Sequence, residues 1–90
     1  MKINNEYHII VPRYAKKDIR FTNGRQVYGV IDNLYDTLIG MFDTEMLADR
    51  YINDVTLDSK ANGEPVLVHV INNRHDKLIA RCPVTDKGVD

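Results

Sequence analysis

The sequence predicts an α+β fold: an antiparallel β-sheet of about five strands with one helix packed on one face, in the order β-β-β-α-β-β. Three observations carry it. Val27 to Phe42 reads as strand, tight turn, strand. Leu47, Ala48, Tyr51, Ile52 and Val55 recur at helical spacing behind an acidic start. Two further runs, Val66 to Ile71 and Lys77 to Val84, follow a glycine-bearing turn. Short connections make neighbouring strands antiparallel, and one amphipathic helix laid on such a sheet buries both apolar surfaces.

Taken in order, Tyr7 to Pro12 is the first strand, with Tyr7, Ile9 and Val11 on one face and His8 and Ile10 on the other. Pro12 lacks the N–H that a ladder needs, so it closes the strand or marks an edge. Arg13 to Gly24 reads as a basic connection ending in the turn signal Asn23-Gly24. In the next strand Val27, Gly29 and Ile31 alternate with Tyr28, Val30 and Asp32, and Asn33 to Asp36 makes the turn. Thr37 to Phe42 is apolar on both faces, which predicts a central strand.

Asp43 is the expected helix cap, with Glu45 in the first turn where the helix dipole favours negative charge. Asp58 would turn a charge into the apolar stripe, so the helix is expected to end near Thr56 and Leu57. Lys60 to Gly63 supplies the exit turn, with Gly63 suited to a left-handed backbone. Val66 to Ile71 and Lys77 to Val84 then form a hairpin across Asn72 to Asp76, with Leu78, Ala80 and Cys82 expected inward and Arg81 outward.

Ninety residues make one domain, spanning 1–90. Hydrophobic residues at 43% and charged residues at 28% are ordinary for a globular protein. No apolar run reaches the roughly 20 residues that cross a bilayer, and the first 14 residues do not form a secretory signal. The lone Cys82 forms no internal disulfide and fits a reducing, cytoplasmic setting as a small buried apolar residue.

Chemistry is sparse. His8, His69 and His75 stand at no zinc-ligand spacing from one another. The glycines form no phosphate loop, and the sole serine, Ser59, sits in no nucleophile motif. Asp32 and Asp36 flank a turn and read as turn residues bonding their own backbone before they read as an acid–base pair. A Cys82–His69 nucleophile pair lies in regular strands with no pocket signal. The expectation is a protein that is not an enzyme, with no catalytic residue, no metal and no cofactor.

The net charge of −1 hides an uneven distribution. Arg13, Lys16, Lys17, Arg20 and Arg25 crowd one stretch, while Asp32, Asp36, Glu45, Asp49 and Asp54 crowd the next. The acidic stretch, with Tyr35 and Met46 beside it, is one candidate surface for a basic protein partner, such as a nucleic-acid-handling protein whose positive groove it would occupy, comprising Asp32, Tyr35, Asp36, Glu45, Met46 and Asp49. The basic stretch is the alternative, a nucleic-acid surface with Tyr14 and Phe21 available to stack on bases. An isoelectric point of about 6.3 is far below what such a domain shows. Internal complementarity, the basic stretch lying over the acidic one, accounts for the same asymmetry. One helix cannot cover a broad sheet, so a homodimer through a sheet edge or the uncovered face is also expected.

The run Gly40-Met41-Phe42-Asp43-Thr44-Glu45 after a strand–turn–strand, leading into a helix with Ala48, resembles small α+β proteins of phages and mobile elements. The likeness covers about half the chain. It implies a host-takeover factor or an inhibitor of host defence, anti-CRISPR proteins among them. Such a protein binds a large host protein in the host cytoplasm. It assigns no functional residue.

Overall fold

The computed structural model describes residues 6–84. Among them are six strands and one helix: β1 Glu6–Pro12, β2 Tyr14–Arg20, β3 Gln26–Asp32, β4 Thr37–Phe42, α1 Glu45–Ala61, β5 Leu67–Asn73 and β6 Leu78–Val84. The α+β class and the antiparallel pairing hold. The single five-stranded sheet does not. The strands form two three-stranded antiparallel sheets, ordered β1-β5-β6 and β2-β3-β4.

The extra strand is β2, in what the sequence presents as a basic loop. Its alternation is masked because Lys16 and Lys17 put charge on both faces. Full antiparallel register against β3, from Tyr14 opposite Asp32 to Arg20 opposite Gln26, holds it extended. β2 is an edge strand, and edge strands carry such charges to discourage further pairing. Only Arg13 separates it from β1. The Arg13 N–H donates to the Val66 carbonyl beside one sheet, and the Arg13 carbonyl accepts from Asn33 N–H beside the other. One run of backbone thus leaves the first sheet and enters the second.

The central strand of its sheet is β3, not the predicted Thr37–Phe42 strand, which is the β4 edge. Val27, Gly29, Val30 and Asp32 of β3 are buried. A bulge at Ile39 shifts the β3–β4 register, and Ile79 does the same between β5 and β6.

The main contacts of the helix are with β2, β3 and β4. Its N-cap is Thr44, whose side chain accepts from Leu47 N–H at 3.2 Å. The expected cap, Asp43, instead takes a salt bridge from Arg25 at 2.7 Å. The helix outlasts the predicted end because Ser59, not an apolar residue, continues the stripe of Ala48, Ile52 and Val55. Ser59 is buried and bonds the Tyr14 hydroxyl at 2.8 Å, while Asp58 stays exposed. Gly63, at φ +73°, makes the exit.

Apolar burial is uneven. Among the described residues, the apolar side chains buried in the helix-bearing half are Val27, Val30 and Ala48, and in the β1-β5-β6 half Val68. In that second half Cys82 is exposed, not buried, and so is Leu78. Arg81, expected outward, is half-buried and donates to the Asn33 carbonyl at 2.9 Å. Arg81 thus meets the β3–β4 turn, at the Asn33 carbonyl and at Asp36. The molecule is 15 Å across in its thinnest direction, so large sheet areas have no second layer.

Candidate functional site

Opposite charges in neighbouring stretches meet within the molecule. The Arg13 guanidinium is buried. Its Nε and Nη2 donate to the Asp32 carboxylate at 3.0–3.2 Å, and its Nη1 donates to Glu64 and to the Pro65 carbonyl. Its Cζ lies 5.0 Å from the Tyr14 ring centre and 5.5 Å from that of Tyr35. Asp32 above all, against the opposing cost of burial, holds the Arg13 pKa far above the ordinary arginine value. Lys16 reaches across to the helix, donating to Glu45 at 2.6 Å and Asp49 at 2.9 Å. Those two bonds, Glu45 first, raise the Lys16 pKa above the usual lysine range. Arg25 pairs with Asp43, Arg20 with Gln26, and Asp36 with Arg81 at 3.5 Å.

The two candidate surfaces meet in part, Arg13 on Asp32 and Lys16 on Glu45 and Asp49, which is the internal complementarity that the charge pattern allows. Of the acidic set, Asp32, Asp36, Glu45 and Asp49 each hold a cation. Tyr35 and Met46 stay exposed, at 68% and 70%. Of the basic set, Lys17 is exposed and faces away from the helix.

The histidines divide. His8 and His69, on adjacent strands, approach to 3.1 Å between Nδ1 and Nε2, and the other His8 nitrogen meets Glu6 at 3.3 Å. Cys82 stands opposite His69 in register. This half-exposed trio lies on an open sheet. Among the described residues no group of three or more His, Cys, Asp or Glu side chains is placed to hold a metal ion. Asp32 is held by Arg13 and by the N–H of Leu34, while Asp36, largely exposed, meets Arg81 at 3.5 Å.

A concave feature that sequence reasoning did not find lies at the end of the β2-β3-β4 sheet. Phe21 and Arg25 of the β2–β3 loop, Val27, Met41 and Phe42 of the strands, and Asp43 of the helix entry line a shallow cleft of about 260 Å³. The register places Ile19, Val27, Gly29, Leu38 and Met41 on the sheet face opposite the helix. Gly29 matters here. A side chain added to it would meet the ends of Ile19 and Leu38 at 2.9 Å, so those two residues close over the bare backbone. The result is an apolar strip with Phe21 41%, Leu38 49% and Met41 53% exposed. The Arg25–Asp43 ion pair forms its polar rim. The signal in the sequence was the apolar residues on both faces of Thr37–Phe42, which mark an uncovered face and not a central strand.

Among the described residues no helix is long and apolar enough to cross a membrane. The chain matches no protein-family model, no curated protein and no solved structure.

Proposed function

We propose that this chain is a non-enzymatic binding protein that docks on another protein through the helix-free face of the β2-β3-β4 sheet, centred on the Phe21–Met41 cleft. The cleft is the observation that carries the reading. It is smaller than the roughly 300–1,000 Å³ of small-molecule sites. It suits a single apolar or aromatic anchor from a partner, the arrangement on which interface energy concentrates. Around it Leu38, Met41 and Phe21 offer apolar contact, and Arg25, Asp43 and Lys17 offer a rim.

The charge pairing bears on the alternatives. Arg13, Lys16 and Arg25 are held by carboxylates, so a nucleic-acid reading would have to break those pairs before a phosphate was neutralised. On the helix, Glu45 and Asp49 share Lys16, and we place the docking surface on the apolar strip in preference to the charged face. The biological setting we favour is a phage-type accessory or inhibitor, an anti-defence protein that binds a host protein, as the resemblance implies.

Residue-specific photo-crosslinking in host lysate tests this. A crosslinker at Met41 is expected to trap one defined partner, and one at Asp54 on the exposed helix is expected to trap none. Met41→Glu should abolish capture while leaving the circular dichroism unchanged. Trapping from position 54 alone, or capture indifferent to Met41→Glu, would reject the cleft as the docking site.

A further inference from the structure

The other half of the molecule points to a different contact. β1 is the outer strand of the β1-β5-β6 sheet, and among the described residues no strand pairs with its far side. Tyr7, Ile9 and Ile10 are 54%, 50% and 60% exposed, alternating between two faces that the helix does not reach. Exposed edges are usually guarded by charge, proline or a bulge. β2 carries Lys16, Lys17, Asp18 and Arg20, β6 carries Arg81 and Pro83, and β4 is bulged. β1 carries such residues only at its ends, Glu6 and Pro12, and the five residues between them, Tyr7 to Val11, have none.

We propose that the open edge of β1 pairs antiparallel with β1 of a second copy of this chain, about a two-fold axis at Ile9. Backbone parity supports it. Arg13 N–H donates to Val66, so alternation along β1 turns Tyr7, Ile9 and Val11 toward β5. The N–H and C=O groups of His8 and Ile10 are then directed at the free edge. In a two-fold pairing centred on Ile9, His8 faces Ile10 of the second copy and Tyr7 faces its Val11. The five residues Tyr7 to Val11 pair fully, Glu6 falls opposite Pro12, which has no N–H to donate, and no like charges oppose.

The gain lies in the ladder: His8 of each copy exchanges both backbone hydrogen bonds with Ile10 of the other, and Tyr7, Ile9 and Ile10 find cross-strand apolar neighbours. A second copy is the occupant that brings this same unguarded edge in self-complementary form. It also leaves the Met41 cleft free, so the dimer would present that docking face twice.

Light scattering and a designed disulfide decide the matter. The wild-type chain is expected at about twice its 10.4 kDa mass. Ile10→Pro removes an N–H aimed at the free edge and spares the β5 ladder. It should weaken the dimer by about tenfold or more, two ladder bonds being lost per pair, with the circular dichroism unchanged. In a Cys82→Ser background, Ile9→Cys should crosslink to a dimer on oxidation, because facing residues in such a pair lie about 4.5 Å apart, within disulfide reach. Asp54→Cys in the same background should not. A monomeric wild type at micromolar concentration would overturn the proposal. So would a dimer that tolerates Ile10→Pro and gives no crosslink at position 9.

Discussion

Arg13 is the side chain on which most of the fold's connections converge. It is 6% exposed and Asp32 is 6% exposed, so neither charge has water to fall back on. Removing one partner of a buried pair leaves the other uncompensated, at about 3–5 kcal/mol. Arg13→Met is therefore expected to lose about that much stability in urea denaturation. Arg13→Met with Asp32→Leu should recover much of the loss, since replacing both charges abolishes the orphan. Glu64→Ala should cost less than about 1 kcal/mol, its side chain being half exposed. A double variant no more stable than the single one would show that Arg13 acts through shape alone. None of this is legible in sequence. Asp32 is 19 positions away and Glu64 is 51 away, and an arginine in a basic run reads as a phosphate contact until a fold brings carboxylates to it. The raised Arg13 and Lys16 pKa values carry a sign. Their stabilisation is fully present below the ordinary lysine and arginine values and is lost only as pH rises through the higher folded ones. Across neutral pH these two cations contribute a constant amount.

At the scale of the element, the helix and turns show where local chemistry suffices and where it does not. The left-handed turn positions were readable. Gly24 and Gly63 sit at φ +89° and +73°, and Asp36 at +54°, each in a run that glycine, asparagine or aspartate marks as a turn. The choice between Asp43 and Thr44 as cap was not, because both residue types cap well and they are adjacent. In the structure Thr44 caps the helix and Asp43 pairs with Arg25 from another hairpin. The ranking of two variants follows. Thr44→Ala should cost about 1 kcal/mol of thermal or urea stability. Asp43→Ala removes an ion pair whose side chains are 61% and 74% exposed, and such pairs contribute about 0–1 kcal/mol. If Asp43→Ala proves the more damaging, the cap assignment fails. The last helical turn was hidden for a comparable reason. Ser59 is polar, and only the Tyr14 hydroxyl on β2 makes a polar residue suitable for the buried stripe. β2 itself went unread because the alternation of an edge strand is overwritten by the charges that guard it.

The whole molecule is two sheets of equal size and unequal support, and that governs its motion. Period-two patterns revealed strands but not which sheet each joins, because the division depends on a bend at Arg13 and on long-range pairing of β1 with β5. The helix, the buried Val27, Val30 and Ala48, and the Lys16 bridges all lie with β2-β3-β4. The β1-β5-β6 sheet is tied to them through Arg13, through the Arg81 bond to Asn33 and through the Asn33 side chain on the Pro12 carbonyl. Elements with few buried contacts open at lower free energy than the core. Hydrogen exchange should therefore be slowest in β3, intermediate in β5 and fastest in β6. β1 is the informative strand. In the dimer proposed above, His8 and Ile10 amides should be protected at high concentration and exchange rapidly on dilution, while those of Ile9 and Val11, bonded to β5, change far less. Arg13→Met should deprotect β1, β5 and β6 together before α1 loses protection, because the main contacts of α1 are with β2, β3 and β4. Uniform exchange across both sheets in that variant would mean that they unfold as one unit and that Arg13 is not what joins them.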